Sequence, residues 1–157
     1  MTTSTTNAEI TIVGPAHAAW FANVLEDVFD EPLQAARLGE FLNDPRHHLV
    51  VARIEGAIAG FISAVHYVHP DKPQPELWIN EAGVAPSQQR RGLAKAMLDV
   101  LLDHARDLGC AEAWVLTDRT NTAAMALYAA CGGASPTDQV MIEFHLDGRR
   151  PSGHQAP

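Results

Sequence analysis

Residues 81–94 hold the groups best suited to chemistry in this 157-residue chain. A β-rich stretch runs through a tight loop into an amphipathic stretch, so the backbone N–H groups of Gln88–Gly92 lie at a helix N-terminus. Unpaired amides and the positive end of the helix dipole favour a phosphate or pyrophosphate there. Gly92 allows close approach of a ligand, and Arg90 and Arg91 add positive charge. The segment predicts an anion site, with a solvated arginine pair as the alternative.

Hydrophobic periodicity predicts the elements that position this segment, in the order β-α-α-β-β-β-α-β-α-β. The predicted strands are residues 10–13, His48–Arg53, Ala57–Val68, Leu77–Val84, Ala113–Thr117 and Val140–Leu146. The predicted helices are Ala16–Phe29, Leu33–Leu42, Leu93–Leu108 and Asn121–Cys131. Hairpins come first and a β-α-β-α unit follows, so the sheet should be mixed. The length fits one domain over 1–157, with a core of about 9–147 between two polar termini.

The formal net charge of −8 argues against nucleic acid and anionic membranes as partners, because both require clustered cations. A cationic partner or substrate would be attracted, although solubility alone also explains such a charge. No stretch reads as a signal peptide or a membrane span, so we expect a cytoplasmic protein.

The histidines and cysteines do not show the spacing of a metal site. His66 and His69 lie at a strand end with no third ligand, and the adjacent His47 and His48 should point to opposite faces of a strand. We therefore expect no bound metal. Cys131 has no histidine nearby that would activate it as a nucleophile.

Two motifs resemble those of the GNAT superfamily of N-acetyltransferases. Gln89-Arg90-Arg91-Gly92-Leu93-Ala94 is similar to the Q/R-x-x-G-x-G/A signature, in its strand–loop–helix context. Residues 121–133 are similar to the second motif, N-x-x-A-x-x-L-Y-x-x-x-G-F, with Gly133 where an aromatic residue is common. The resemblance implies an α+β fold: a mixed, mostly antiparallel sheet of six to seven strands, splayed at its centre and flanked by about four helices. It also implies a homodimer.

The resemblance further implies that acetyl-CoA is the co-substrate. Its pyrophosphate would lie on the amides of Gln89–Ala94, and its pantetheine arm would run along Leu77–Val84, where Gly83 suits a bulge. A backbone N–H near Val84 would hold the oxyanion formed during transfer. Asn121 matches a position that helps to bind the CoA arm, and Tyr128 matches the tyrosine facing the thioester sulfur.

A closer resemblance is to the fortimicin/gentamicin type of aminoglycoside 3-N-acetyltransferase, which confers antibiotic resistance. The residues that carry it are Val28–Pro32, Tyr67, His69-Pro70, Pro75-Glu76, Trp78–Glu81, Val84, Val140-Met141 and Phe144. That subfamily has an aspartate at the position of Glu81, so the carboxylate is kept with one more methylene.

An amine must lose its proton before it can attack a thioester, and Glu81 is the best candidate to accept it. Tyr128 would donate to the departing thiolate. Carboxylates that could rim a cleft for a cationic substrate are Asp30, Glu31, Asp71, Glu76 and Asp138. The alternatives are the same chemistry on another amine (a polyamine, an amino sugar or a protein N-terminus) and an acyl-CoA sensor without catalysis.

Overall fold

A five-stranded sheet forms the centre of the protein, with its strands in chain order. The computed structural model describes residues 7–136 and 138–149. The strands are β1 (Glu9–Val13), β2 (His47–Ile54), β3 (Ala57–Tyr67), β4 (Glu76–Val84) and β5 (Glu112–Val115). The α-helices are α1 (Ala35–Asn43), α2 (Leu93–Asp107) and α3 (Thr122–Ala130), and two 3₁₀ helices span Pro15–Ala22 and Pro86–Gln88.

The sheet is mixed, which confirms the predicted α+β class. Strands β1 to β4 pair antiparallel, and β5 runs parallel to β4. The hairpin between β2 and β3 turns at Glu55 and Gly56, whose φ values are 50° and 82°. In the described part of the chain, no helix has both the length and the apolar character that a membrane crossing requires.

Hydrophobic side chains cover both faces of the sheet. Helix α2 packs on one face, where Ile62, Met97 and Leu101 are almost fully buried. Helix α1 and the first 3₁₀ helix pack on the other face, over Val51 and Phe61. The leucine stripe of α2 follows the helical period, so burial of that stripe fixes the helix against the sheet.

Strand β4 parts from β5 halfway along its length. Its residues Glu76–Ile79 pair with β5, whereas Glu81–Val84 pair with β3 and, within the described part of the chain, with no second strand. The register between β3 and β4 shifts at Asn80, which is the extra residue of a bulge. The predicted splay is therefore present, but the bulge lies at Asn80 rather than at Gly83.

Gly83 has a different function in the strand. A Cβ atom built on it would lie 2.2 Å from the carbonyl oxygen of Val28 and 2.9 Å from Cε1 of Phe61. The segment before α1 thus passes over β4 at a distance that only glycine allows. This close passage brings Val28 and its neighbours to the edge of the site.

The predicted helix Ala16–Phe29 is wrong over its second half, and its first half is a 3₁₀ helix rather than an α-helix. The structure has a 3₁₀ helix at Pro15–Ala22, followed by turns and a β-bridge between Val24 and Ile58. Backbone bonds join Leu25 N–H to the Ile58 carbonyl, and Ile58 N–H to the Asn23 carbonyl. Pairing with β3 replaces the helical hydrogen bonds, so the apolar spacing here reflects burial against the sheet.

The predicted strand Val140–Leu146 is not part of the sheet, which has five strands instead of six to seven. Its apolar side chains are exposed, from 59% for Met141 to 95% for Leu146. A period-two pattern shows that a segment can form a strand but does not identify the edge with which it pairs.

Candidate active site

A cavity of about 670 Å³ opens where β4 and β5 diverge, between the N-termini of α2 and α3. Ten residues were predicted to act in catalysis or to hold the co-substrate, and all of them except Arg91 line it. These nine are Glu81, Val84, Gln89, Arg90, Gly92, Leu93, Ala94, Asn121 and Tyr128. The Arg91 guanidinium donates to the side-chain oxygen of Gln88 instead.

One wall of the cavity is an open strand edge. Residues 81–84 of β4 pair with β3 on one side and, among the residues the structure describes, have no strand on the other. The same residues line the cavity. An unpaired edge offers N–H and C=O groups to an extended ligand, which can bind as an added strand.

The N-terminus of α2 forms a second wall. Gly92 is its N-cap with φ +77°, and no side chain caps the helix. The first bond within the helix joins Ala96 N–H to the Gly92 carbonyl, so the preceding amides have no helical acceptor. Gln89 Nε2 donates to the Val84 carbonyl at 3.3 Å, which ties the loop to the end of β4. Free amides at a helix N-terminus suit an anionic ligand.

Helix α3 supplies the third wall. Asn121 is its N-cap, and Oδ1 accepts from Ala124 N–H at 3.1 Å. Tyr128 is half-buried, and burial raises the pKa of its hydroxyl. The helix ends where Gly133 N–H donates to the Tyr128 carbonyl at 2.8 Å. A Cβ at Gly133 would lie 2.9 Å from that oxygen, which explains the glycine where the resemblance leads one to expect an aromatic residue.

A smaller cavity of about 170 Å³ adjoins the first. Three of the residues predicted from the sequence line it: Asp30, Glu31 and Glu81. Among the described residues, no hydrogen bond or ion pair engages their carboxylates. Glu81 lines both cavities, as do Phe61 and Ala82, so it is the acidic residue at the junction of the two.

The other predicted acidic residues are outside the lining of both cavities. Glu76 lies at the far end of β4, where its carboxylate accepts from the Tyr67 hydroxyl at 2.8 Å. It also lies 3.2 Å from His69 Nε2 and 3.6 Å from Lys72 Nζ, and these hydrogen-bond and charge contacts lower its pKa. Asp71 and Asp138 are exposed. The structure therefore does not bring Asp71, Glu76 and Asp138 together with Glu81.

Sequence reasoning missed the apolar wall of the small cavity. Val28, Phe29 and Phe61 line it, and the rings of Phe29 and Phe61 stack with centroids 4.1 Å apart. Phe29 precedes Asp30 directly and could have been included on that ground. No local signal marks Phe61, which reaches the pocket from β3.

The histidines considered as metal ligands in the sequence do not form a metal-binding group in the structure. Within residues 7–136 and 138–149, no three His, Cys, Asp or Glu side chains are arranged to hold a metal ion. His66 bonds to His48 rather than lying beside His69 as a ligand pair: His66 Nδ1 and His48 Nε2 are 2.7 Å apart.

Comparison with known proteins identifies the family to which the chain belongs. The model of the acetyltransferase (GNAT) family matches residues 16–133. The chain is 29% identical over 120 residues to an uncharacterized N-acetyltransferase of Mycobacterium bovis, covering 76% of this chain and 69% of that protein. It is 35% identical over 105 residues to the N-alpha-acetyltransferase RimI of Mycobacterium tuberculosis, covering 67% of this chain and 63% of RimI.

Among solved structures, the fold is similar to that of an aminoglycoside acetyltransferase from an uncultured soil metagenomic sample, in complex with sisomicin. The TM-score is 0.76 at 18% sequence identity, over 88% of this chain and 96% of that one.

Proposed function

Because the chain belongs to the GNAT acetyltransferase family, we propose that it transfers an acetyl group from acetyl-CoA directly to an amine of an aminoglycoside, at the 3-N position. Such a reaction would confer antibiotic resistance. The observation that carries the proposal is the position of Glu81 in the lining of both cavities. A base there can reach an amine in the acidic pocket and an acyl donor along β4.

The large cavity fits acetyl-CoA, which supplies an acetyl group activated as a thioester. The helix α2 amides after Gly92 suit the pyrophosphate, and Arg90 adds positive charge beside them. The open edge of residues 80–84 suits the amide-bearing pantetheine arm. Asn121 keeps α3 in place at the mouth of the cavity by capping the helix.

In the proposed reaction, Glu81 accepts a proton from the ammonium group, because an ammonium has no lone pair with which to attack. A backbone N–H near Val84 polarises the acetyl carbonyl. Tyr128 keeps its proton because burial raises its pKa, and its hydroxyl donates to the sulfur that departs. Burial also raises the pKa of the Cys131 thiol, which disfavours a thiolate nucleophile there.

The small cavity supports a cationic substrate. Asp30, Glu31 and Glu81 place three carboxylates around a space that Phe29 and Phe61 close on the apolar side. These three carboxylates have no hydrogen-bond or ion-pair partner among the described residues, so they are available to bind ammonium groups, of which aminoglycosides carry several. The likeness of fold to the sisomicin-bound acetyltransferase supports the same substrate class.

Acetylation of a protein N-terminus is the second candidate, favoured by the 35% identity to RimI. An N-terminal amine is also cationic and would enter the same acidic pocket. The two candidates differ in the charge around the amine, since an aminoglycoside carries several ammonium groups and a protein N-terminus carries one.

A thiol-release assay with acetyl-CoA separates these candidates. The acceptors are gentamicin, sisomicin, kanamycin, spermidine and an N-terminal peptide. The proposal expects the highest kcat/KM with an aminoglycoside, and mass and NMR analysis of the product place the acetyl group at 3-N. Preference for the peptide would establish the second candidate, and no release with any acceptor would favour a binding protein without catalysis.

A pair of double variants tests the pocket. Asp30→Asn with Glu31→Gln should raise KM for the aminoglycoside about tenfold at low salt and leave kcat nearly unchanged. The difference from wild type should shrink as salt rises, because the Debye length falls to ~8 Å at physiological ionic strength. The matched control is Glu26→Gln with Asp27→Asn, which removes the same charge from exposed residues outside both cavity linings.

A further inference from the structure

Trp78 presents an exposed aromatic surface on β4. Its ring stacks on that of Trp114, with centroids 5.2 Å apart and planes within 6° of parallel. Trp114 lies opposite it on β5, and the spacing is close to the ~4.8 Å between neighbouring strands, so the two rings stand side by side on the sheet. Trp114 therefore covers one ring face of Trp78. The side chain of Trp78 is still 38% exposed, which leaves its other face available to a ligand.

The bulge at Asn80 brings Trp78 and Glu81 to the same face of the sheet. Residues three apart on a regular strand point to opposite faces. Here the register pairs Trp78 with Val65 and Glu81 with Ser63. Because Val65 and Ser63 are two residues apart on β3, all four side chains lie on one face. Two residues of a strand span ~7 Å, so the indole and the carboxylate are close neighbours along β4.

The small cavity lies on this same face. Phe61, which alternates with Ser63 on β3, lines that cavity and packs in the hydrophobic cluster of the α1 face. Trp114 covers Trp78 from the β5 side, so the uncovered ring face is on the β3 side, where Val65 is too short to cover an indole. Trp78 lines neither cavity. It would therefore contact the part of a substrate that extends beyond the acidic pocket.

We propose that the free face of Trp78 binds a second ring of the aminoglycoside whose reacting ring lies at Glu81, an inference that rests on the proposed function. An aminosugar ring presents C–H and ammonium groups, and the electron-rich face of an indole attracts both. The nearby charge of Glu81 is complementary to an ammonium group on the ring that stacks there. The acidic pocket then selects a cationic amine, and Trp78 selects an acceptor with more than one ring.

Calorimetry with gentamicin and with 2-deoxystreptamine, the single ring of gentamicin that bears the 3-amino group, tests the subsite. Trp78→Leu removes the aromatic face and keeps an apolar side chain. It should raise Kd for gentamicin about tenfold, leave Kd for 2-deoxystreptamine unchanged and leave kcat with gentamicin nearly unchanged. Trp78→Phe is the matched control and should keep Kd for gentamicin within about threefold of wild type. An equal change for both ligands, or equal losses in the two variants, would overturn the proposal.

Thiol release from acetyl-CoA separates failure of this inference from failure of the proposed function. Turnover of gentamicin with unchanged affinity in Trp78→Leu would overturn the subsite and leave the proposed function standing, whereas no turnover of any aminoglycoside by the wild type would overturn both. Indole fluorescence of the wild type is the second measurement, should Trp78→Leu not fold. Saturating gentamicin should change the emission and 2-deoxystreptamine should not, and an unchanged emission with gentamicin would overturn the subsite.

Discussion

The two ends of β4 differ in how their polar groups are satisfied. At the Glu76 end, side chains bond to one another: Trp114 Nε1 donates to the Tyr67 hydroxyl at 2.6 Å, which donates to Glu76 at 2.8 Å. At the other end, residues 80–84 have an open backbone edge, and the Glu81 carboxylate has no hydrogen-bond or ion-pair partner among the described residues. We call these the closed end and the open end.

The closed end also holds a chain of three imidazoles on the α2 face of the sheet. His48 Nε2 lies 2.7 Å from His66 Nδ1, and His48 Nδ1 lies 3.0 Å from His104 Nε2. His48 is 7% exposed. Groups that satisfy one another contribute to stability but are not available to a ligand. In the proposed reaction, β4 therefore combines an end whose side chains stabilise the fold with an end that binds the reactants, and the following variants test this difference.

The largest effect is expected at the open end, for Glu81→Gln. If Glu81 is the base, kcat should fall by roughly 10²–10⁴-fold, the usual contribution of general acid–base catalysis. Acetyl-CoA affinity should be unchanged, since the carboxylate is not in the α2 loop. Steady-state kinetics and calorimetry measure the two quantities.

Glu112→Gln is the matched control for Glu81→Gln, because it makes the same change on β5 at the closed end. It should leave kcat and KM at wild-type values. An increase in KM with kcat unchanged in Glu81→Gln would instead show that Glu81 only binds the charged amine.

Stability at the closed end should depend on pH. Burial, with the neighbouring His104, His66 and His47, lowers the pKa of His48 to about 4, from about 6.5 in the unfolded chain. Between these values the unfolded state binds more protons, so the free energy of unfolding should fall as pH falls, by up to roughly 3 kcal/mol. Urea denaturation between pH 7 and pH 4 measures this slope.

His48→Leu should remove most of that pH dependence and leave acetyl transfer at neutral pH unchanged. An equal slope in the variant would assign the proton uptake to other groups. Loss of transfer in a folded His48→Leu variant would contradict the separation of the two ends.

A pair of glycine variants tests the helix α2 loop. Gly92 and Gly109 flank α2, with φ values of +77° and +78°, and apart from their chain neighbours no described residue lies within 4 Å of a Cβ built on either. Valine at either position meets the same backbone strain. Only Gly92→Val places a side chain beside the free amides at the N-terminus of α2. This variant should therefore weaken CoA binding more than tenfold, ~1.4 kcal/mol.

Calorimetry with CoA measures the affinities, and chemical denaturation should give similar losses of stability for Gly92→Val and Gly109→Val. Equal CoA affinity in the two folded variants would show that the pyrophosphate does not lie on this loop.

The smallest effects compare the two tyrosines of the chain. Tyr67→Phe removes the hydroxyl that joins Trp114 to Glu76, and should lower the free energy of unfolding by about 1 kcal/mol with kcat unchanged. Tyr128→Phe should lower kcat about tenfold, because a thiolate leaves readily and needs little help. Chemical denaturation and steady-state kinetics on both variants measure these two effects. A loss of kcat in Tyr67→Phe with kcat unchanged in Tyr128→Phe would contradict the assignment.

Local signals predicted much of this protein correctly. The leucine stripe of α2 and the glycine at its start depend only on neighbours in sequence, so both the helix and the loop were predicted close to their observed positions. Two segments near the ends of the chain were predicted incorrectly. Residues 16–29 have helical spacing, but residues 23–25 pair with β3 instead of continuing a helix. Residues 140–146 have strand spacing but no strand partner among the described residues. Periodicity identifies a buried side but not the element that buries it.

The sequence by itself determined the mixed character of the sheet and the order of most elements, because these depend on periodicity and backbone preference over a few residues. The resemblance of two motifs to the GNAT family added nine of the residues that line the large cavity. Only the tertiary structure decided which carboxylates share a pocket. Asp30 meets Glu81 because the Val28 carbonyl passes over Gly83, and Glu76 is turned to Tyr67 by the register of β3 and β4. Such contacts depend on strand register and on the path of the connecting segments, and neither produces a pattern at a fixed spacing in the sequence.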